Sequence, residues 1–124
     1  MTLDKLYDLT EKENIKVYDW HIEDCNGIYL NYDKINAIAL NFDELGTYVE
    51  EKCTLAHELG HYYTENCYSL NADEVTIRKA EYRSNKWAIM CLISYEDLKS
   101  AILKRNWYNL CFSRIFWSYN RFYA

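Results

Sequence analysis

A chain of 124 residues, half of them hydrophobic and 17% aromatic, has enough apolar side chain for one domain with its own core, and this excludes a disordered polypeptide. The formal net charge of -5 is unevenly placed: residues 1–97 carry nine basic and all 19 acidic side chains, while residues 98–124 carry five basic side chains and no acidic one. No apolar run approaches the roughly 18 residues of a membrane span, and Met1-Thr-Leu-Asp-Lys5 has neither a basic nor an apolar leader, so a cytoplasmic protein without membrane association is expected.

Leu3, Leu6, Tyr7 and Thr10 recur at helical spacing, which predicts a short amphipathic helix over residues 2–14. Three strand-like stretches follow, at 15–20, 27–32 and 35–42, and the short connections at 23–27 and 32–34 predict a three-stranded antiparallel meander. His21 closes the first strand and is expected at the surface or in a hydrogen bond rather than on a ligand. In the third strand Ile38, Leu40 and Phe42 face one way and the small Ala37 and Ala39 the other. That leaves room for a close helix, or for an extended substrate to pair along Ala37, Ile38, Ala39 and Leu40.

Thr47 with Glu50 forms a capping box that opens a helix to about Tyr63. Val49, Cys53, Ala56 and Leu59 supply its core face, and Gly60 lets another element pack close. Residues 66–71 read as a loop. Asn71 with Glu74 gives a second capping box, for a helix to about Leu92, and Ser94 with Asp97 a third, for a helix to about Lys104. The pattern predicts an α+β fold in a single domain over 1–124, with 1–104 as its core. Five cysteines (Cys25, Cys53, Cys67, Cys91, Cys111) lack C-x-x-C spacing, and an odd count suits reduced thiols better than a disulfide framework.

The helix opened by Thr47 carries Leu55-Ala-His-Glu-Leu-Gly-His61, an H-E-x-x-H motif. Residues four apart share a helix face, so His57 and His61 can offer two imidazole nitrogens to one ion. Glu58 is rotated to the flank of that pair, where its carboxylate can act as general base without ligating the metal. Catalytic zinc sites have three protein ligands and an open position, so a third ligand is required. The metzincin spacing fails, because Thr64 replaces the glycine and Cys67 stands where the third His would be; a Cys67 thiolate is the weaker option. A gluzincin places a Glu on a second helix some 20 residues later. Glu81 lies 20 residues after His61 in Glu81-Tyr-Arg-Ser-Asn85, with Ser84, Asn85 and Ala88 on the same helix face. Ser84 and Asn85 then become candidates to support the ligands from behind, and Glu65, Asp73 and Glu74 are fallback ligands.

Cys53-Thr-Leu-Ala-His-Glu-Leu-Gly-His61, followed by Lys79-Ala-Glu-Tyr-Arg-Ser-Asn-Lys-Trp-Ala88 and Leu92-Ile93, resembles the ImmA/IrrE family of bacterial and mobile-element metallopeptidases. The resemblance covers roughly residues 1–104 and is strongest over 49–93. It implies a minimal zincin-like domain, Zn2+ held by His57, His61 and Glu81, and Glu58 as catalytic acid and base. It also implies a protein substrate, a helix-turn-helix repressor of a prophage or mobile element, cleaved rather than bound alongside DNA. Ser94 stands where the family usually has Pro, and the basic, aromatic segment 105–124 differs from the family's usual C-terminus. The oxyanion donor is not singled out among the tyrosines; Tyr62, Tyr63, Tyr82 and Tyr95 are the candidates. The alternative from another class is a non-proteolytic regulator that binds a repressor or other partner through a zincin-like fold. Direct nucleic-acid binding is not expected from so acidic a body.

Overall fold

The computed structural model describes residues 1–65, 68–69 and 71–103. Among these the order is α1 (Leu3–Lys12), β1 (Lys16–Asp19), β2 (Gly27–Tyr32), β3 (Ile35–Leu40), α2 (Tyr48–Tyr63), α3 (Glu74–Leu92) and α4 (Tyr95–Leu103). The fold is mixed α and β, as the patterning predicts. The tail at 105–124 and Cys67 lie outside the described residues.

Capping side chains set the helix starts. Thr2 accepts from the Lys5 N–H to open α1, Thr47 from the Glu50 N–H to open α2, and Ser94 from the Asp97 N–H to open α4. For α3 the cap is Asp73, whose Oδ1 accepts from the Thr76 N–H at 2.7 Å, and not Asn71. Both residues are good caps, and the one two positions later wins; Glu74 becomes the first helical residue and pairs with Arg78 at 2.8 Å.

The sheet corrects the expected meander. Its order is β1-β3-β2, with β2 antiparallel to β3 but β1 parallel to β3. The β2–β3 hairpin is set locally, because Asp33 and Lys34 both take positive φ, 49° and 65°, as a two-residue type I′ turn requires. The placement of β1 is set at a distance, by the buried Asn41 just past β3. Its Nδ2 donates to the carbonyls of Ile22 and Cys25, and its N–H donates to the Asn26 carbonyl, so the connection from β1 to β2 is strapped across the end of β3. Tight-turn composition in that connection says nothing about such a strap. Because Asn41 ends the strand, Phe42 falls outside β3 and is exposed rather than aligned with Ile38 and Leu40.

The core forms where α1 and α2 cover one face of the sheet: Leu3, Leu6, Ile15, Ile38, Leu40, Cys53, Leu55, Ala56, Leu59 and Ala88 make one buried cluster. Val49, expected in this core, is exposed in the first turn of α2, and Leu55 is buried instead. Cys53 is disulfide-bonded, whereas Cys25 and Cys91 are free. This corrects the expectation of reduced thiols for Cys53, since sequence spacing does not restrict bonding between cysteines that the fold brings together.

α3 lays the stripe Ala80, Ser84 and Ala88 against α2. The backbones come so close at Gly60 that a Cβ there would sit 2.6 Å from the Ser84 carbonyl oxygen. In an exposed helix Gly→Ala would stabilise by about 1 kcal/mol. Here the clash is with backbone, so Gly60→Ala is expected to destabilise by about 1–3 kcal/mol. A lower urea midpoint at unchanged m-value is the expected result; a higher midpoint would mean that the helices do not meet at this residue.

Candidate metal centre

α2 and α3, held together at Gly60 and Ser84, bring three side chains to one point. His57 and His61 stand one turn apart on α2 with their ring centroids 4.9 Å apart and the rings perpendicular. Glu81 reaches across from α3, its Oε2 2.8 Å from His57 Nε2 and its Oε1 3.3 Å from His61 Nε2. All three donor atoms lie within 4.8 Å of one another. Two atoms at zinc-ligand distances of about 2.0–2.1 Å from one tetrahedral ion stand about 3.3–3.4 Å apart, so the His61–Glu81 spacing already fits. The His57–Glu81 spacing is shortened to that of a hydrogen bond. Two imidazoles and a carboxylate are a donor set that can hold a metal ion.

The surroundings orient these ligands. His57 Nδ1 lies 2.7 Å from Asn85 Oδ1, and a proton donated there leaves Nε2 to present its lone pair to the centre. Ser84 acts differently from Asn85: it is fully buried at the Gly60 contact, where its backbone sets the helix spacing, and its Oγ has no hydrogen-bond partner. Burial works against a charge on His57, yet the hydrogen bond it donates to Glu81, the charges of Glu58 and Glu81, and the hydrogen bond with Asn85 outweigh it and raise its pKa to about 9. Burial also opposes charge on Glu81, but the two histidines hold its carboxyl well below the usual range.

Glu58 is 6% exposed and is not one of the three clustered ligands. Burial pushes its pKa up, against the pull of His57 and His61, and the Tyr29 N–H donates to its carboxylate. A carboxyl with a raised pKa beside side chains that could hold a metal ion is suited to taking and returning a proton.

The fallback ligands are not among the clustered donors. Glu65 follows α2 with φ 54°, Asp73 caps α3, and Glu74 pairs with Arg78. His21 is an exposed residue 3.4 Å from Asp43. The Tyr62 hydroxyl donates to Glu13 Oε2 at 2.7 Å and that of Tyr63 to Glu13 Oε1 at 3.4 Å, so both candidate oxyanion donors are committed to a carboxylate on the α1 side. Tyr82 and Tyr95 are exposed, at 58% and 72%.

Two tyrosines that the sequence did not single out border the centre. Tyr68 donates its hydroxyl to Glu81 Oε1 at 2.7 Å, with its ring centroid 6.1 Å from that of His61. Tyr29, on β2, stacks on His61 with ring centroids 6.4 Å apart and planes 10° off parallel, while its hydroxyl donates to Asn36 Oδ1. No local motif marks either one; each is placed by a fold-level contact. Cys25 precedes β2, and its thiol donates to the Gly27 carbonyl at 2.8 Å. Burial raises its pKa, and the charges of Glu58 and Glu81 add to that, which keeps the thiol neutral beside the centre.

The substrate-pairing strand also needs correction. β3, with Ala37, Ile38, Ala39 and Leu40, is the central strand and is paired on both sides, so it has no edge to offer. β2 is the edge strand beside the centre. Asn41 bonds to Asn26 opposite it, so alternation along the antiparallel ladder turns the backbone groups of Gly27, Tyr29 and Asn31 away from β3 and toward the outer edge. The Tyr29 N–H on Glu58 agrees with this phase.

Among the described residues no helix is long and apolar enough to cross a membrane. Comparison of the chain with protein-family models, curated proteins and solved structures finds no match. The functional reading therefore rests on the site's own geometry and chemistry.

Proposed function

We propose that this chain is a zinc-dependent endopeptidase of the ImmA/IrrE kind, built on a minimal zincin-like domain and cleaving a helix-turn-helix repressor of a prophage or mobile element. The observation that carries this reading is the meeting of His57, His61 and Glu81 across two helices, with the buried carboxylate of Glu58 beside them and outside the ligand set. Zinc bound by these three would supply a Lewis acid for the scissile carbonyl and make an attacking water more acidic. Glu58, 6% exposed, would take the proton from that water and return it to the leaving amine. Asn85 holds the His57 ring in position, and the extended peptide adds to the outer edge of β2, where Tyr29 anchors Glu58 to the same strand.

Tyr68, whose hydroxyl reaches Glu81 Oε1, would donate to the oxyanion in place of Tyr62, Tyr63, Tyr82 and Tyr95. Tyr68→Phe is expected to lower kcat/KM by about 10²–10³-fold through kcat, with the bound metal retained. An unchanged kcat would assign that hydroxyl to Glu81 alone.

The direct test is incubation of the zinc-loaded protein with the repressor encoded beside its gene, followed by intact mass analysis. Two fragments whose masses sum to the parent plus one water, absent after chelation, are expected. An intact repressor and intact unfolded casein at one equivalent of bound zinc would overturn the peptidase assignment.

A further inference from the structure

A cleft of about 490 Å³ opens beside the metal centre, with His61 in its wall. Glu13 and Glu65 also line it, together with the rings of Tyr29, Tyr62 and Tyr63, and among the described residues no lysine or arginine does. We propose that this cleft is a specificity subsite for a cationic side chain, lysine or arginine, of the peptide substrate. The proposal rests on the peptidase reading for its substrate class, but not for its cation preference.

The charge in the cleft is held in place rather than cancelled. Glu13 takes hydroxyl hydrogen bonds from Tyr62 on Oε2 and from Tyr63 on Oε1. Both donors are neutral, and Glu13 raises the pKa of each, that of Tyr63 to about 12 with burial as its first cause. Tyr63 is itself fixed by stacking on Trp87, ring centroids 4.9 Å apart and 12° from parallel. A carboxylate has about four acceptor sites, so two phenols leave room for an ammonium or guanidinium. The strand residues of the lining hold one another: Asn36 Oδ1 accepts from both the Tyr29 hydroxyl and Asn31 Nδ2.

The occupant follows from what these groups favour. An apolar side chain would strip water from Glu13 without replacing it, and an acidic one would meet two like charges. A cation gains a charge-assisted hydrogen bond and the faces of the tyrosine rings, and its aliphatic stem suits an aromatic-lined wall. Because His61 is shared between cleft and centre, a residue seated here lies next to the bond presented to the metal.

The test uses decapeptides of one fixed background carrying a single lysine, arginine, norleucine or glutamate, with two readouts. Cleavage by the zinc-loaded protein is mapped by mass, and binding of the fluorescein-labelled peptides to zinc-loaded Glu58→Gln is read by anisotropy. Lysine and arginine peptides are expected to bind about five- to tenfold more tightly than the norleucine peptide, a gap that narrows with salt and falls to near unity in Glu13→Gln/Glu65→Gln. Glu65→Gln alone, at an exposed position, is expected to remove part of it, which guards against misfolding of the double variant. Equal binding of lysine and norleucine peptides, or a preference that survives both substitutions, overturns the subsite. Cleavage without cation preference would remove the subsite and leave the peptidase; cation-selective binding without cleavage of any peptide would do the reverse.

Discussion

Glu58→Gln is expected to reduce repressor cleavage by about 10²–10⁴-fold while zinc stays at one equivalent and repressor binding is unchanged. Glu58 follows His57 directly on α2, so the helix turns its side chain away from the line joining His57 and His61, toward β2. There it accepts from the Tyr29 N–H and remains outside the cluster of ligand atoms. Glutamine has the same shape and can still accept that hydrogen bond through its amide oxygen, so the buried site loses basicity with little loss of packing. Kinetics on the repressor, zinc content by elemental mass spectrometry and repressor affinity are the three measurements. The combination separates a hydrolase from a regulator that acts by binding: for the regulator the biological effect survives the substitution. Loss of zinc from Glu58→Gln would place this carboxylate among the ligands instead and undo its role as base.

The legible parts of this protein were those written in local spacing. The i, i+4 pair His57 and His61 and the phase of Glu81, Ser84 and Asn85 follow from helical geometry once the capping residues fix the helices. Gly60 read correctly as a point of close approach because a helix interior gives up stability to hold a glycine. What the sequence hid is set by contacts between distant segments. The strand order depends on Asn41 bonding back to Ile22, Cys25 and Asn26, and no turn signal encodes that. With the order wrong, the small residues Ala37 and Ala39 suggested an accessible strand, whereas they sit in the middle of the sheet. Position along the chain does not tell which tyrosine hydroxyl reaches the centre. Tyr62 and Tyr63 leave α2 toward Glu13, while Tyr68, from the connection beyond, returns to Glu81. Likewise the two good caps Asn71 and Asp73 could be separated only by which one reaches an open N–H, here that of Thr76.

Glu81→Ala is expected to weaken zinc binding by at least about 10³-fold, since it leaves two imidazoles where a catalytic site needs three protein ligands. The same pair of helices predicts how affinity depends on pH. Zinc requires His57 with a bare Nε2 and Glu81 ionised. Glu81, held well below the usual carboxyl range by the two histidines, is already ionised across the working range and contributes no slope there. His57, raised to about 9, still carries a proton at neutral pH before an ion binds, and that proton must leave. Each pH unit from about 7 to 9 should therefore strengthen binding about tenfold, and the slope should flatten above 9. Competition with a chromophoric chelator across that range gives the affinity, and calorimetry in buffers of different ionisation enthalpy counts the proton released. Glu81→Ala removes the partner that raises His57, so its remaining weak binding should lose most of this slope. A pH-independent affinity in the unsubstituted chain would mean that His57 and Glu81 do not share a proton, and hence that the contact between α2 and α3 does not build the site.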